Sequence, residues 1–94
     1  MTGTGNNEHF RTATGSRSAW WRVDDHGRIE ITHLADRESA IDTARFAHHA
    51  AMPYSRDGVM FTVTPTLAQA HSLLPEYHAL WCAVSEEFRR RFAS

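Results

Sequence analysis

The fold is decided by residues 19–34, AWWRVDDHGRIEITHL, whose pattern predicts two strands joined by a tight turn. Residues 19–23 are aromatic and β-branched, as strands prefer. Gly27 supplies the positive φ that closes a four-residue hairpin loop. The return strand, residues 28–34, alternates in polarity, so that Ile29, Ile31 and His33 share one side of it. These features predict a β-hairpin with one apolar face.

A helix is predicted after the hairpin, from Arg37 to about Ala51, with Asp36 as its N-cap. Pro53 disfavours helical geometry at the residue before it and therefore ends the helix. Phe46 lies off the helix face that a 3.6-residue period makes apolar. That face comprises Ala40, Ile41, Ala44, Ala47, His48 and Ala51.

The remaining sequence predicts one more strand and two more helices. The strand covers residues 59–64 and follows a loop over residues 54–58. Thr64 and Pro65 begin a short helix that reaches about Leu73, and Pro75 restarts the chain into a long final helix. Large residues spaced three and four apart form a stripe on the final helix, and its central member, Trp81, is expected to be heavily buried. The stripe is Tyr77, Leu80, Trp81, Val84, Phe88 and Phe92.

The order of elements, β-β-α-β-α-α, predicts an α+β fold in which a single layer of helices covers one face of a three-stranded, mainly antiparallel sheet. A right-handed crossover from the second strand would place the third strand parallel to it, whereas placing the third strand beside the first gives the all-antiparallel order 2-1-3, which we predict. Residues 1–18 are rich in Gly, Thr, Ser and Asn and have little to bury, so they are predicted to be a disordered tail. Residues 19–94 are predicted to form a single domain, as expected for a chain of 94 residues.

Composition excludes several classes of protein. The net charge of −1 gives no global attraction to nucleic acid. The single cysteine excludes an internal disulfide and every zinc motif built on cysteine pairs. We expect no membrane partner and a cytoplasmic location, because the sequence has neither an apolar stretch of membrane-spanning length nor a secretory signal. All basic residues are arginine, which is typical of a GC-rich coding background and predicts a bacterial source.

Seven histidines make this chain histidine-rich, and His48, His71 and His78 are the candidate metal ligands. His78 and Cys82 are four residues apart and therefore share a helix face. The alternative interpretation, histidines that merely occupy the surface or core, predicts no cofactor. A cysteine in the middle of a helix is expected to be inert, and no catalytic residue is predicted.

The C-terminal arginines, Arg89, Arg90 and Arg91, are the candidate contacts for nucleic-acid phosphates. Their position at the end of a helix also suits the helix macrodipole, which is sufficient to explain them. Glu86 and Glu87 precede them and weaken their field, so a nucleic-acid partner is not expected.

Aromatic residues are the candidate interface. Trp20 and Trp21 are adjacent in a strand, so their rings must lie on opposite faces of the sheet. Helices on one face leave the outward indole for a partner, and interfaces are enriched in such side chains. The predicted interface residues are Trp20, Trp21, Phe46, Tyr77, Trp81, Phe88 and Phe92.

The leading functional hypothesis is a non-enzymatic interaction or regulatory module that acts through this aromatic surface, as a homodimer or with another protein. The first alternative is a metal- or small-ligand-binding protein, or an enzyme, that uses the histidines. The second alternative is nucleic-acid binding through the C-terminal arginines.

Overall fold

The predicted hairpin lies at the centre of the sheet. A computed structural model describes residues 8–92, and in it β2 spans Arg17–Val23 and β3 spans Ile29–Asp36. Asp24 organises the turn, because its Oδ1 accepts from the backbone N–H groups of His26 and Arg28 at 2.8 and 2.9 Å. Gly27 adopts a φ of 79°. The predicted hairpin and its turn are confirmed.

In the part of the chain that the structure describes, the sheet has five strands rather than the predicted three. Strand β1 spans Phe10–Thr14, β4 spans Ala51–Ser55 and β5 spans Gly58–Phe61. Their order is β1-β2-β3-β5-β4, and every neighbouring pair is antiparallel. The predicted α+β class is confirmed, whereas the predicted strand number and the order 2-1-3 are wrong.

Strand β1 lies inside the stretch that was predicted to be a disordered tail. Its inward side chains gain their contacts from a distant residue: Thr12 Oγ1 accepts from Trp21 Nε1 at 2.9 Å, and the Phe10 ring lies 4.7 Å from that indole. A strand with few apolar residues is therefore stabilised by the contacts of its inward side chains with one large residue, Trp21. The tail prediction is wrong from Phe10 onward, and residues 1–7 lie outside the described residues.

The predicted helix from Arg37 to Ala51 is wrong. A 3₁₀ helix spans only Thr43–His49, and it begins after Asp42, whose carboxylate accepts from Ala44 N–H at 3.2 Å. Phe46, which the helical period placed off the apolar face, is fully buried and packs 4.8 Å from the ring of Phe61. Pro53 lies in β4, which tolerates a proline because it is an edge strand.

The two α-helices follow the prediction more closely. Helix α1 spans Leu67–Leu73 and begins two residues later than predicted, with Thr66 and Gln69 forming a capping box. A 3₁₀ turn at Pro75–Tyr77 leads into α2, which spans His78–Phe92. The apolar stripe of α2 packs on the sheet, and Trp81 is 1% exposed, as predicted.

Asp36 joins the sheet to the helical layer. The residue is 3% exposed, and its carboxylate accepts from Tyr77 Oη at 2.7 Å, from Ser16 Oγ at 3.2 Å and from the backbone N–H of Glu38 at 2.9 Å. Arg17 Nε lies 3.3 Å from it. Burial raises the pKa of Asp36, but these hydrogen bonds outweigh burial and lower the pKa to about 2.

Acid is therefore expected to destabilise the fold through Asp36. The pKa of this carboxyl is lower in the folded than in the unfolded chain, so its contribution is complete above about pH 5 and is lost as the pH falls toward 2. The loss amounts to about 2 kcal/mol of unfolding free energy. Urea unfolding at pH 7, 4 and 2.5 measures it. The difference in pH dependence between the wild type and Asp36→Asn isolates Asp36, and parallel pH curves for the two proteins would contradict the assignment.

Candidate functional site

Within residues 8–92, the helices cover one face of the sheet and leave the other face open. Trp21 is fully buried under α2, in the same core as Leu34, Leu80 and Trp81. Trp20, its neighbour in β2, lies on the opposite face and is half-buried. Trp20 is thus the outward tryptophan, and it lies on the open sheet face.

An irregularity in the pairing of β2 with β3 determines which β3 side chain lies beside Trp20 on the open face. Trp20 pairs with His33 but Trp21 pairs with Ile31, so Thr32 is an extra residue in β3. The hydroxyl of Thr32 donates to the carbonyl of Trp20 at 3.1 Å. Because of this β-bulge, His33 lies with Trp20 on the open face while Ile31 enters the core. The prediction that His33 shares the side of Ile29 and Ile31 is wrong.

One row of large side chains crosses the open face along the register of all five strands, and we call it the ridge. The Arg11 guanidinium lies 5.5 Å from the Trp20 ring centre, and the Trp20 and His33 rings are 6.1 Å apart. Tyr54, which is 57% exposed, places its ring 4.4 Å from His33. The ridge comprises Arg11, Trp20, His33, Met60 and Met52, with Tyr54 over His33.

The ridge is largely apolar at neutral pH. Burial lowers the pKa of His33, and charge repulsion from His9 lowers it further. A neutral imidazole therefore lies between Trp20 and Tyr54. At one end of the ridge, Arg11 also donates to Ser18 Oγ at 3.0 Å.

The adjacent row on the open face contains only small residues, and we call it the furrow. At Gly58 an added Cβ would come within 3.0 Å of the Leu34 carbonyl and of Ser55 Oγ, so the furrow has no room for a side chain there. A cavity of about 250 Å³ lies along the furrow, and its lining includes Ala13 of β1 and Ser55 of β4. The furrow comprises Ala13, Ser18, Ala35, Gly58 and Ser55, which pair in register across the strands.

Most of the predicted interface residues belong to the core instead. Four of them are no more than 4% exposed within the chain, so the interface prediction is wrong for Trp21, Phe46, Tyr77 and Trp81. Phe88 is half-buried, and Phe92 is 48% exposed on the helical side, where its ring lies 5.8 Å from Phe10. Trp20 is the predicted interface residue that lies on the open face.

The C-terminal arginines are engaged within the chain. Arg90 and Arg91 both form ion pairs with Glu87, and Arg89 donates to Ser85 Oγ at 3.1 Å. Arg91 also lies 4.7 Å from the Phe10 ring centre. The single carboxylate of Glu87 offsets part of the positive charge that the nucleic-acid alternative requires.

The structure brings together two of the three candidate metal ligands. His78 Nδ1 lies 3.0 Å from His71 Nε2, at the junction of α1 and α2, and Cys82 Sγ lies 3.4 Å from His78 Nε2. His48 lies on the 3₁₀ helix and does not join them. Among residues 8–92, no three His, Cys, Asp or Glu side chains are arranged to hold a metal ion.

The sequence did not predict that one surface contains Arg11, His33, Tyr54, Met52 and Met60. The alternation of Met52 and Tyr54 was the available signal, but Pro53 between them favoured a loop. Within the described residues, no helix is both long and apolar enough to cross a membrane. No protein-family model, curated protein or solved structure matches the chain.

Proposed function

We propose that the protein is a non-enzymatic interaction module that self-associates through the open sheet face, with a second copy of the chain as the occupant. The observation that supports this proposal is the position of the ridge directly beside the furrow. Adjacent rows on one sheet face are two residues apart along each strand, or about 7 Å. A surface with one raised and one recessed row is complementary to itself.

Two copies fit together in this way when they are related by a two-fold axis that runs between the ridge and the furrow and parallel to both. Rotation about that axis places the ridge of each copy over the furrow of the other, as an isologous interface requires. Each large residue then meets a small residue of the same strand in the other copy. His33 meets Ala35 and Met60 meets Gly58, whereas Trp20 lies over Ser18 with the Arg11 side chain, which covers Ser18, between them.

The size of the face is sufficient for a reversible dimer. Five strands about 4.8 Å apart, with strands of usual length, give a flat area on the order of 500 Å² per copy. The total is then about 1,000 Å², which is the lower end of specific interfaces. We therefore expect a dissociation constant of the dimer in the micromolar range.

The charges of the face favour a second copy over a nucleic acid. The charge of Arg22 is paired with that of Glu30 at 3.0 Å, whereas Arg11 keeps its charge and donates to the neutral Ser18 hydroxyl. The cavity along the furrow is lined by Asp57 as well as by Arg37. Two copies with a net charge of −1 each repel one another only weakly.

Replacing Trp20 by serine is expected to weaken self-association at least about 10-fold, because a central aromatic residue carries much of the energy of an interface. Ala13→Arg is expected to weaken it as well, since the long side chain fills the furrow from the exposed edge strand β1. Sedimentation equilibrium from 1 to about 500 μM measures the effect. Val63→Ser is the matched control, because Val63 is 54% exposed but lies outside the sheet, and this variant should dimerise like the wild type.

A wild-type protein that is monomeric across the concentration range would overturn the proposal. So would dimerisation that Trp20→Ser and Ala13→Arg leave intact, because the interface would then lie elsewhere. The same samples are titrated with a single-stranded oligonucleotide and followed by tryptophan fluorescence. A monomer that binds the oligonucleotide through Trp20 would make the open face a base-stacking surface instead.

A further inference from the structure

His33 lies in the middle of the ridge, and a chain of hydrogen bonds selects the tautomer of its ring. The Thr32 hydroxyl donates its only proton to the carbonyl of Trp20 at 3.1 Å, and Nδ1 of His33 lies 3.0 Å from the same hydroxyl oxygen. The oxygen therefore accepts from the ring, so Nδ1 carries the proton of the neutral imidazole. Protonation of His33 must then take place at Nε2.

A proton on Nε2 has no acceptor within the chain. Among residues 8–92, the structure shows no hydrogen-bond partner for this nitrogen. The rings of Trp20 and Tyr54 lie 6.1 and 4.4 Å from the imidazole, and neither ring offers a carboxylate or a carbonyl oxygen. In the single chain, water serves as the acceptor, because His33 is only half-buried.

The charged and titratable groups that face His33 do not compensate a positive charge there. Burial lowers the pKa of His33, and charge repulsion from His9 acts in the same direction. The nearest carboxylate on the open face is that of Glu30, and it is already paired with Arg22 at 3.0 Å. The whole set is His9 and Arg11 on the β1 side, the Arg22–Glu30 ion pair along β2 and β3, and the phenol of Tyr54 on β4.

Dimerisation through the open face, on which this inference rests, would remove the water from Nε2. His33 then lies over Ala35 of the second copy, and a methyl group cannot accept a hydrogen bond. The charged groups that line the furrow there, Arg37 and Asp57 of the second copy, have opposite signs. The two-fold axis also places the two His33 residues about 7 Å apart along the strand direction, so two imidazolium ions would repel each other.

We propose that self-association is controlled by pH through His33: the dimer forms while His33 is neutral and dissociates when His33 is protonated. Each copy must lose its Nε2 proton to associate, so the pKa of His33 is lower in the dimer than in the single chain. The dissociation constant is then constant at higher pH and rises as the pH falls through the single-chain pKa. Because two copies each lose one proton, the rise approaches about 100-fold per pH unit.

Sedimentation equilibrium of the full-length chain between about pH 7.5 and pH 5 tests this proposal. The dissociation constant is expected to be at least about 10-fold higher at the lower pH. The fold itself persists over this range, because the contribution of Asp36 is complete above about pH 5, and circular dichroism confirms it at each pH.

Two histidine variants assign the effect. His33→Gln keeps a side chain that donates to the Thr32 hydroxyl but does not titrate, so its dimer should dissociate equally at both ends of the pH range. His48→Gln is the matched control, because His48 is an exposed histidine of the 3₁₀ helix, and this variant should retain the pH dependence of the wild type.

A wild-type dimer with the same dissociation constant across the pH range would overturn the proposal and leave self-association intact. A pH dependence that persists in His33→Gln would assign the effect to another group. Association that tightens in acid would mean that a carboxylate, such as that of Asp57 in the second copy, pairs with His33. A chain that is monomeric at pH 7.5 would instead refute self-association, and the pH control with it.

Discussion

Replacing Trp81 by alanine is expected to lower the free energy of unfolding by about 3–5 kcal/mol. The Trp81 side chain is 1% exposed and lies in the core between α2 and the sheet, with the ring of Tyr77 stacked 6.0 Å away. Its Nε1–H donates to the carbonyl of Leu74 at 2.9 Å, so the substitution also leaves a buried acceptor without its donor. Such a loss is a large fraction of the stability of a domain of this size.

Urea unfolding at low micromolar concentration measures this effect with little contribution from association. Trp20→Ala is the matched control, since it removes the same side chain from the half-buried open face. Trp20→Ala should lower the free energy of unfolding by less than about half as much as Trp81→Ala. Equal losses for the two variants would mean that the open face is covered within the monomer.

The second large effect is expected for Asp36→Ala, which should lower the free energy of unfolding by about 3–5 kcal/mol. Without the carboxylate, the hydroxyls of Tyr77 and Ser16 and the backbone N–H of Glu38 lose a common acceptor. Arg17 loses its ion-pair partner but keeps a bond to the carbonyl of Glu76 at 2.9 Å. The cost arises mainly from polar groups that remain buried and unpaired.

Tyr77→Phe is the comparison for Asp36→Ala, because it removes one hydrogen bond and retains the packing of the ring. Tyr77→Phe should lower the free energy of unfolding by about 1–2 kcal/mol. Thermal and urea unfolding of both variants test the order of the two effects. If Tyr77→Phe cost as much as Asp36→Ala, the hydrogen bond to Tyr77 would account for the whole contribution of Asp36.

Local sequence predicted the elements whose own residues are sufficient to define them. The β2–β3 turn forms because Asp24 binds the backbone within the turn and Gly27 accepts a positive φ. Helix α2 forms where its apolar residues recur with a helical period, and Trp81 is buried as that period requires. In both places the interactions that select the conformation are close in sequence.

Elements that depend on distant partners were missed. Strand β1 gains its packing from Trp21, whose hydrogen bond to Thr12 and contact with Phe10 cross the sheet. Strand β4 contains Pro53 and carries mostly exposed side chains, so its sequence resembles a loop until β5 pairs with it. The predicted first helix failed because Phe46 packs against Phe61, which outweighs a helical period made mainly of alanine.

By itself, the sequence determined that Trp20 and Trp21 lie on opposite faces, because alternation in a strand is a property of the backbone. Tertiary structure decided which tryptophan faces outward, since α2 packs over Trp21. It also decided that His33 accompanies Trp20, through a bulge at Thr32 that reverses the alternation of β3 at that point. A one-residue shift in strand register moves every following side chain to the other face, and that register is set by pairing with other strands rather than by the strand itself.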